Sequence, residues 1–96
     1  DLKGANLREA LLEKANLQGA HLELANLIGA DLSHADLTEV NLKEAGIRGT
    51  NLTKSALNKA DIRDANLNEA VLDGAQLREA DLSYSALNRC HLIEAD

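Results

Sequence analysis

Leucine or isoleucine occupies every fifth position from Leu2 to Leu92 without a break, with 17 leucines and the two isoleucines Ile47 and Ile62 across 19 positions. A second register runs from Ala5 through Ala10 and Ala15 to Ala95. There 14 of 19 residues are alanine, and the exceptions, Val40, Thr50, Ser55, Ser85 and Cys90, are all small. The residue between the two registers is asparagine or aspartate at 12 of 20 places, among them Asn6, Asn16, Asn26, Asp31, Asp36, Asp61 and Asp81. The last two positions of each unit are mostly polar or glycine.

Leucine, alanine, glutamate and lysine are good helix formers, so a helix is the first element to test. Five residues at about 100° each leave a net rotation of about 140°, so the leucines spiral around the axis and form no apolar stripe. Asparagine or aspartate every fifth residue also competes for the backbone hydrogen bonds of a helix. A long flat strand fails too, because the inward spacing alternates two and three while strand faces repeat every two. What fits is a short extended piece whose small residue and leucine point the same way, followed by a corner made by the polar pair. Each pentapeptide is then one side of a polygon. Four sides close a coil of 20 residues, stacking on the next at about 4.8 Å in parallel register, although three or five sides satisfy the same inward pattern.

The units Ala5-Asn-Leu-Arg-Glu9, Ala35-Asp-Leu-Thr-Glu39 and Ala80-Asp-Leu-Ser-Tyr84 resemble those of the pentapeptide repeat family, and the resemblance covers the whole chain in one register. It implies an all-β fold, a right-handed quadrilateral parallel β-helix with about 20 residues per coil. Residues 1–96 then form a single repeat domain of about 4.8 coils with no capping helix within the chain. The leucines form vertical ladders twenty residues apart: Leu2, Leu22, Leu42, Ile62 and Leu82 on the first side and Leu7, Leu27, Ile47, Leu67 and Leu87 on the second. The third holds Leu12, Leu32, Leu52, Leu72 and Leu92, and the fourth Leu17, Leu37, Leu57 and Leu77. The asparagine or aspartate before each leucine is expected to bond neighbouring backbone at the corner.

Composition agrees with a uniform interior, since 19 leucines, 4 isoleucines and 16 alanines must fill it with no phenylalanine, tryptophan or methionine and one tyrosine. Ten basic against 16 acidic residues give a net charge of −6, which argues against a nucleic-acid binder with a basic stripe and against anionic membranes. No apolar run is long enough to span a bilayer or to form a signal-peptide core. The single cysteine excludes an internal disulfide. The chain begins at Asp1 and not at methionine, which reads as a processed or excised piece. No compartment is encoded, and the cytoplasm is the default.

Each side chain able to do chemistry has its place on the coil. His21 precedes a leucine on the first side, while His34 and His91 belong to the third side nearly three coils apart, so no metal cluster is expected. Cys90 occupies a small inward position and reads as a packed thiol, with His91 on the opposite face. Gly4, Gly19, Gly29, Gly49 and Gly74 recur at one corner position and suit a turn, without phosphate-cradling spacing. Neither catalysis nor a cofactor is expected.

The outer columns include complementary charges, Lys3, Glu23 and Lys43 on one side and Glu39, Lys59 and Glu79 on another, expected to pair weakly. Apolar residues stand where the pattern calls for polar ones at Leu11, Leu24, Ile28, Val71, Tyr84 and Ile93. Val71, His91 and Ile93 converge on the third side and form the candidate partner-contact patch. The leading functional expectation is a non-catalytic structural or protein-interaction scaffold with a protein partner, no nucleic acid and no membrane. Unpaired edges at the ends would also permit end-to-end self-association. The alternative comes from the resemblance: some members mimic DNA and inhibit or protect DNA gyrase. Against it, duplex DNA carries about 14 charges over the roughly 23 Å expected of this stack. Those members also tend to have phenylalanine at central leucine positions and a dimerising end module. The threonines Thr38, Thr50 and Thr53 form no column of the kind ice binding requires.

Overall fold

A computed structural model describes residues 1–96, and its backbone closes a coil every 20 residues. Parallel bridges join Asn6 to Asn26, Asn26 to Gly46, Gly46 to Asn66 and Asn66 to Ala86 on the second side, with equivalent series on the other three. This offset fixes the polygon at four pentapeptides per coil, the one number that the period left open.

All 65 backbone hydrogen bonds are of four kinds, and one of them makes the corner. The N–H of each small residue donates to the carbonyl of the leucine three residues earlier, as from Ala25 to Leu22 at 3.1 Å. The residue before the small one has a φ of 56° to 70° in every unit, the value that the third position of a type II turn needs. Glycine supplies it at Gly4, Gly19, Gly29, Gly49 and Gly74, but 14 other residues adopt it, including Leu24, His34 and Tyr84. The remaining three kinds tie coil to coil. The leucine and the left-handed residue donate to the following coil, as Leu22 does to Asn41 at 2.8 Å. The residue before the leucine donates back, as Asn26 does to Ala5 at 2.9 Å.

The fifth N–H, that of the residue after the leucine, donates to a side-chain oxygen in 14 of the 19 units. Asp31 Oδ1 accepts from the Ser33 N–H at 2.9 Å and Asp36 Oδ1 from Thr38 at 3.0 Å. Asn26, Asn41 and Asn66 serve Ile28, Lys43 and Asn68 in the same way, each at 3.1 Å. These are Asx turns, and they explain why asparagine and aspartate dominate that position.

Inside, the leucine and small-residue registers form one continuous core from Leu22 to Ala75. Each central leucine is sealed by a coil above and one below, and burying it contributes roughly 1.5–3 kcal/mol before chain entropy is counted. In the first and last coils one neighbour is missing, so Leu2 is 37% exposed and Leu92 46%. The polar residues of the small register donate inward hydrogen bonds to leucine or isoleucine carbonyls: Thr50 to Leu27 at 2.7 Å, Ser55 to Leu52 at 2.8 Å and Ser85 to Ile62 at 2.5 Å. No helix of the structure is long and apolar enough to cross a membrane.

Candidate functional site

Because the interior is filled by packed side chains, anything this chain recognises must meet its outer columns or the open ends of the stack. On the third side, the residues before the leucines form the column Leu11, Asp31, Asn51, Val71 and His91, joined coil to coil by parallel bridges. Val71 is half-buried and His91 exposed one coil further on. Ile93 stands two residues past His91 in the same coil and is 68% exposed. Its N–H donates to Asp73 Oδ1 at 2.9 Å, so Val71, Asp73, His91 and Ile93 mark the corners of a small quadrilateral with the two apolar residues on one diagonal. The backbone thus brings the three residues of the expected patch onto one surface.

The other outlying apolar residues do not join them. Leu24 and Tyr84 are exposed at corner positions of the first side and Leu11 is exposed in the first coil. Ile28 is half-buried because Gly46, one coil on, leaves room beside it, with Ile28 Cγ1 3.9 Å from where a Cβ of residue 46 would lie.

The charge columns behave differently from expectation. No ion pair within 4 Å forms among Lys3, Glu23 and Lys43 or among Glu39, Lys59 and Glu79; instead Arg8 pairs with Glu9, Lys14 with Glu13 and Lys43 with Glu44. The lysine pairs are all between neighbours along the turn, while the pairs that cross to the next coil fall to the longer arginine fork, Arg48 with Glu69, Arg63 with Asp81 and Arg78 with Asp96. Glu23 turns to its own side, with Oε1 2.9 Å from Asn41 Nδ2 and 3.6 Å from His21 Nδ1. Its backbone hydrogen bond is the main influence holding its pKa below the usual value. Ser33, Thr38 and Ser83 hold the carboxyls of Asp31, Asp36 and Asp81 low through their hydroxyls first and their backbone N–H groups second. Arg63 does the same to Asp61, through two guanidinium contacts at 2.7 and 2.6 Å.

Cys90 lies in the small inward register, its S–H donating to the Leu67 carbonyl at 2.8 Å, and burial pushes its pKa up. No three histidine, cysteine or carboxylate side chains gather where they could hold a metal ion. Sequence reasoning missed one feature, a groove of about 340 Å³ on the second side lined by Arg48, Asn66, Asn68, Glu69, Asn88 and Arg89. The signal was there once the coil length was known, since Arg48, Asn68 and Asn88 share one column.

The description "Pentapeptide repeats" matches this sequence in eight copies, over residues 5–44, 47–83 and 55–93. The chain belongs to the pentapeptide repeat family. Its coils form the right-handed quadrilateral β-helix of that family. No curated protein matches the sequence. Among solved structures, a pentapeptide repeat protein of the Arabidopsis thaliana thylakoid lumen superposes with a TM-score of 0.85 at 26% identity, over 88% of this chain and 59% of that one. A pentapeptide repeat protein of Nostoc is 41% identical, with a TM-score of 0.61 over 85% of this chain and 64% of the other. A plasmid-mediated fluoroquinolone resistance protein shares the fold at 18% identity, with a TM-score of 0.58 over 90% and 51% of the two chains. This pentapeptide repeat chain therefore spans about three-fifths of the length of its first two solved relatives.

Proposed function

We propose that the chain is a non-catalytic protein-interaction scaffold and that Val71, His91 and Ile93 contact its partner. The observation that carries this reading is the exposure of Ile93 beside half-buried Val71 on the outer surface of the third side, at an outward position and not in the leucine register. An apolar side chain held outward by a regular backbone is available for a contact without any rearrangement. A photo-crosslinking residue placed at position 93, and separately at Glu13 in the same column four coils away, tests it in extract of the source organism. The expected result is a discrete protein adduct from position 93 and none from position 13. The purified adduct partner should then bind the Ile93→Asp chain at least tenfold more weakly. Equal adducts at both positions, or unchanged binding by a folded Ile93→Asp chain, would overturn the assignment.

The second reading, a DNA-like inhibitor or protector of gyrase, is favoured by the fold shared with the fluoroquinolone resistance protein. A net charge of −6 is less than half of the roughly 14 that duplex DNA carries over the same rise, which sets this reading second. A supercoiling assay with the folded chain in large molar excess, beside Leu42→Lys as an unfolded control, decides it: inhibition or drug protection by the wild type alone would bring this reading to the front.

A further inference from the structure

The groove on the second side is rich in donors that the protein itself does not use. Arg48 is held by Glu69, with Nη2 to Oε1 at 2.9 Å. Asn66 Oδ1 accepts the Asn68 N–H at 3.1 Å, and Asn68 Oδ1 accepts the Asn88 N–H at 2.9 Å. With both oxygens engaged by backbone N–H groups, the two Nδ2 groups are the amide atoms left to meet a ligand among the residues that line the groove. Neither Nδ2 group has a protein partner, and Arg89 makes no ion pair, although a guanidinium offers five donors. Gly46 and Ala86, above and below Asn66 in its column, keep the floor low, and nothing stands within 4 Å of where a Cβ of Gly49 would be.

Two guanidiniums against one carboxylate leave the groove with a local charge of +1, in a chain whose net charge is −6. Acceptors are few: the second Glu69 oxygen and Asn88 Oδ1. We propose that this groove binds a carboxylate, such as the side chain of an acidic residue, with Arg89 as its charge partner and the Asn68 amide as a second donor. A carboxylate offers two acceptor oxygens in the plane that a guanidinium fork matches, and it has no donors that Glu69 would need to accept. The groove adjoins the third-side patch across one corner, with Glu69 two residues before Val71 and Arg89 two before His91, but it shares no residue with the patch and is tested whether or not Ile93 meets a partner.

The test is a ¹⁵N NMR titration of the 96-residue chain with sodium acetate, with sodium phosphate as a second arm and sodium chloride at matched ionic strength as the reference. Saturable shifts in the Asn68 and Asn88 side-chain amides and in Arg89 Nε–H are expected with acetate. Arg89→Gln should weaken them at least fivefold, while Arg8→Gln, in the Arg48 column but two coils away, should not. Asn68→Asp keeps the oxygen that holds the Asn88 N–H but removes the donor and adds a negative charge, so it should abolish saturation. The well-dispersed backbone spectrum of each variant verifies its fold. Linear shifts no larger than those with chloride, or saturation that Arg89→Gln leaves unchanged, would overturn the site. Saturation with phosphate and not acetate would overturn the carboxylate assignment.

Discussion

Asn68 Oδ1 accepts the backbone N–H of Asn88, a full coil later, at 2.9 Å. The residue that would ordinarily serve that N–H is Ala86, which has no side-chain oxygen. The previous coil supplies what the local unit lacks, and the same substitution operates from Asn58 to Arg78 and from Asp73 to Ile93. Asn68→Ala is expected to cost about 0.5–1 kcal/mol, the low end of the range because the bond is exposed. Ala86→Asn in that background should recover most of the loss, since the same column already holds Asn6, Asn26 and Asn66. Urea denaturation of the two variants checks both statements.

The left-handed corner residues carry conformational strain that glycine removes. A non-glycine residue there costs about 1–2 kcal/mol, while glycine loses about 0.5–1 kcal/mol more chain entropy than alanine. Glu39→Gly, at φ 58°, should therefore raise stability by up to about 1 kcal/mol. Gly74→Ala should lower it by about 1 kcal/mol, because its φ of 70° disfavours a Cβ and that Cβ would lie 3.2 Å from Lys54 Cγ, a flexible stem able to shift. Thermal unfolding of the pair reports the opposite signs.

Leucine truncation should depend on coil. Leu42 is 1% exposed with a coil on either side, and Leu42→Ala is expected to cost about 2–5 kcal/mol. Leu92 is 46% exposed, and its truncation should cost less than half as much. Chemical denaturation of the two variants measures the ratio.

Acid should weaken the fold from below the ordinary carboxylate range. Asp31, Asp36, Asp61 and Asp81 have lowered pKa values in the folded state, so at low pH the unfolded chain binds more protons than the folded one. Their contribution is present above the unfolded pKa, near 3.9 for aspartate, and is lost as pH falls through the folded values. The melting temperature, followed by circular dichroism, should be nearly flat from pH 7 to about 5 in respect of these groups and then fall below about 4. Asp31→Asn and Asp36→Asn, which keep the accepting oxygen, should flatten that fall.

Cys90 should react slowly. Its S–H is committed to the Leu67 carbonyl and its pKa is raised, so thiolate is scarce near neutrality. Reaction with Ellman's reagent at pH 7.5 should be several-fold slower than in urea-unfolded chain.

The fold was legible because a five-residue period is incompatible with both a helix stripe and a strand face, and Leu2 through Leu92 never slip. The four-sided closure was not in the period; it came from family resemblance and is visible in the Asn6 to Asn26 bridge. Five glycines pointed to the corner, but Leu24, His34 and Tyr84 share the same left-handed backbone with no propensity for it, because closure of the coil overrides local preference. The Val71, His91 and Ile93 surface was legible as soon as columns could be counted in twenties. The Arg48 and Arg89 groove escaped because nothing in its column of Arg48, Asn68 and Asn88 breaks the polar pattern, and only the engagement of the Asn66 and Asn68 oxygens by backbone N–H groups in two different coils leaves their amide nitrogens free.

The hydrogen bonds between coils recur with every pentapeptide and are indifferent to which side they serve. Adding or removing one unit would thus preserve the interior while rotating everything downstream by a quarter turn, carrying Arg89 around to another side and away from Arg48. Adding twenty residues restores the alignment. Lengths in multiples of five keep such a chain folded, but only multiples of twenty keep a surface assembled from several coils, and evolution of a binding face on this scaffold is confined to steps of that size or to exchanges of single outward residues.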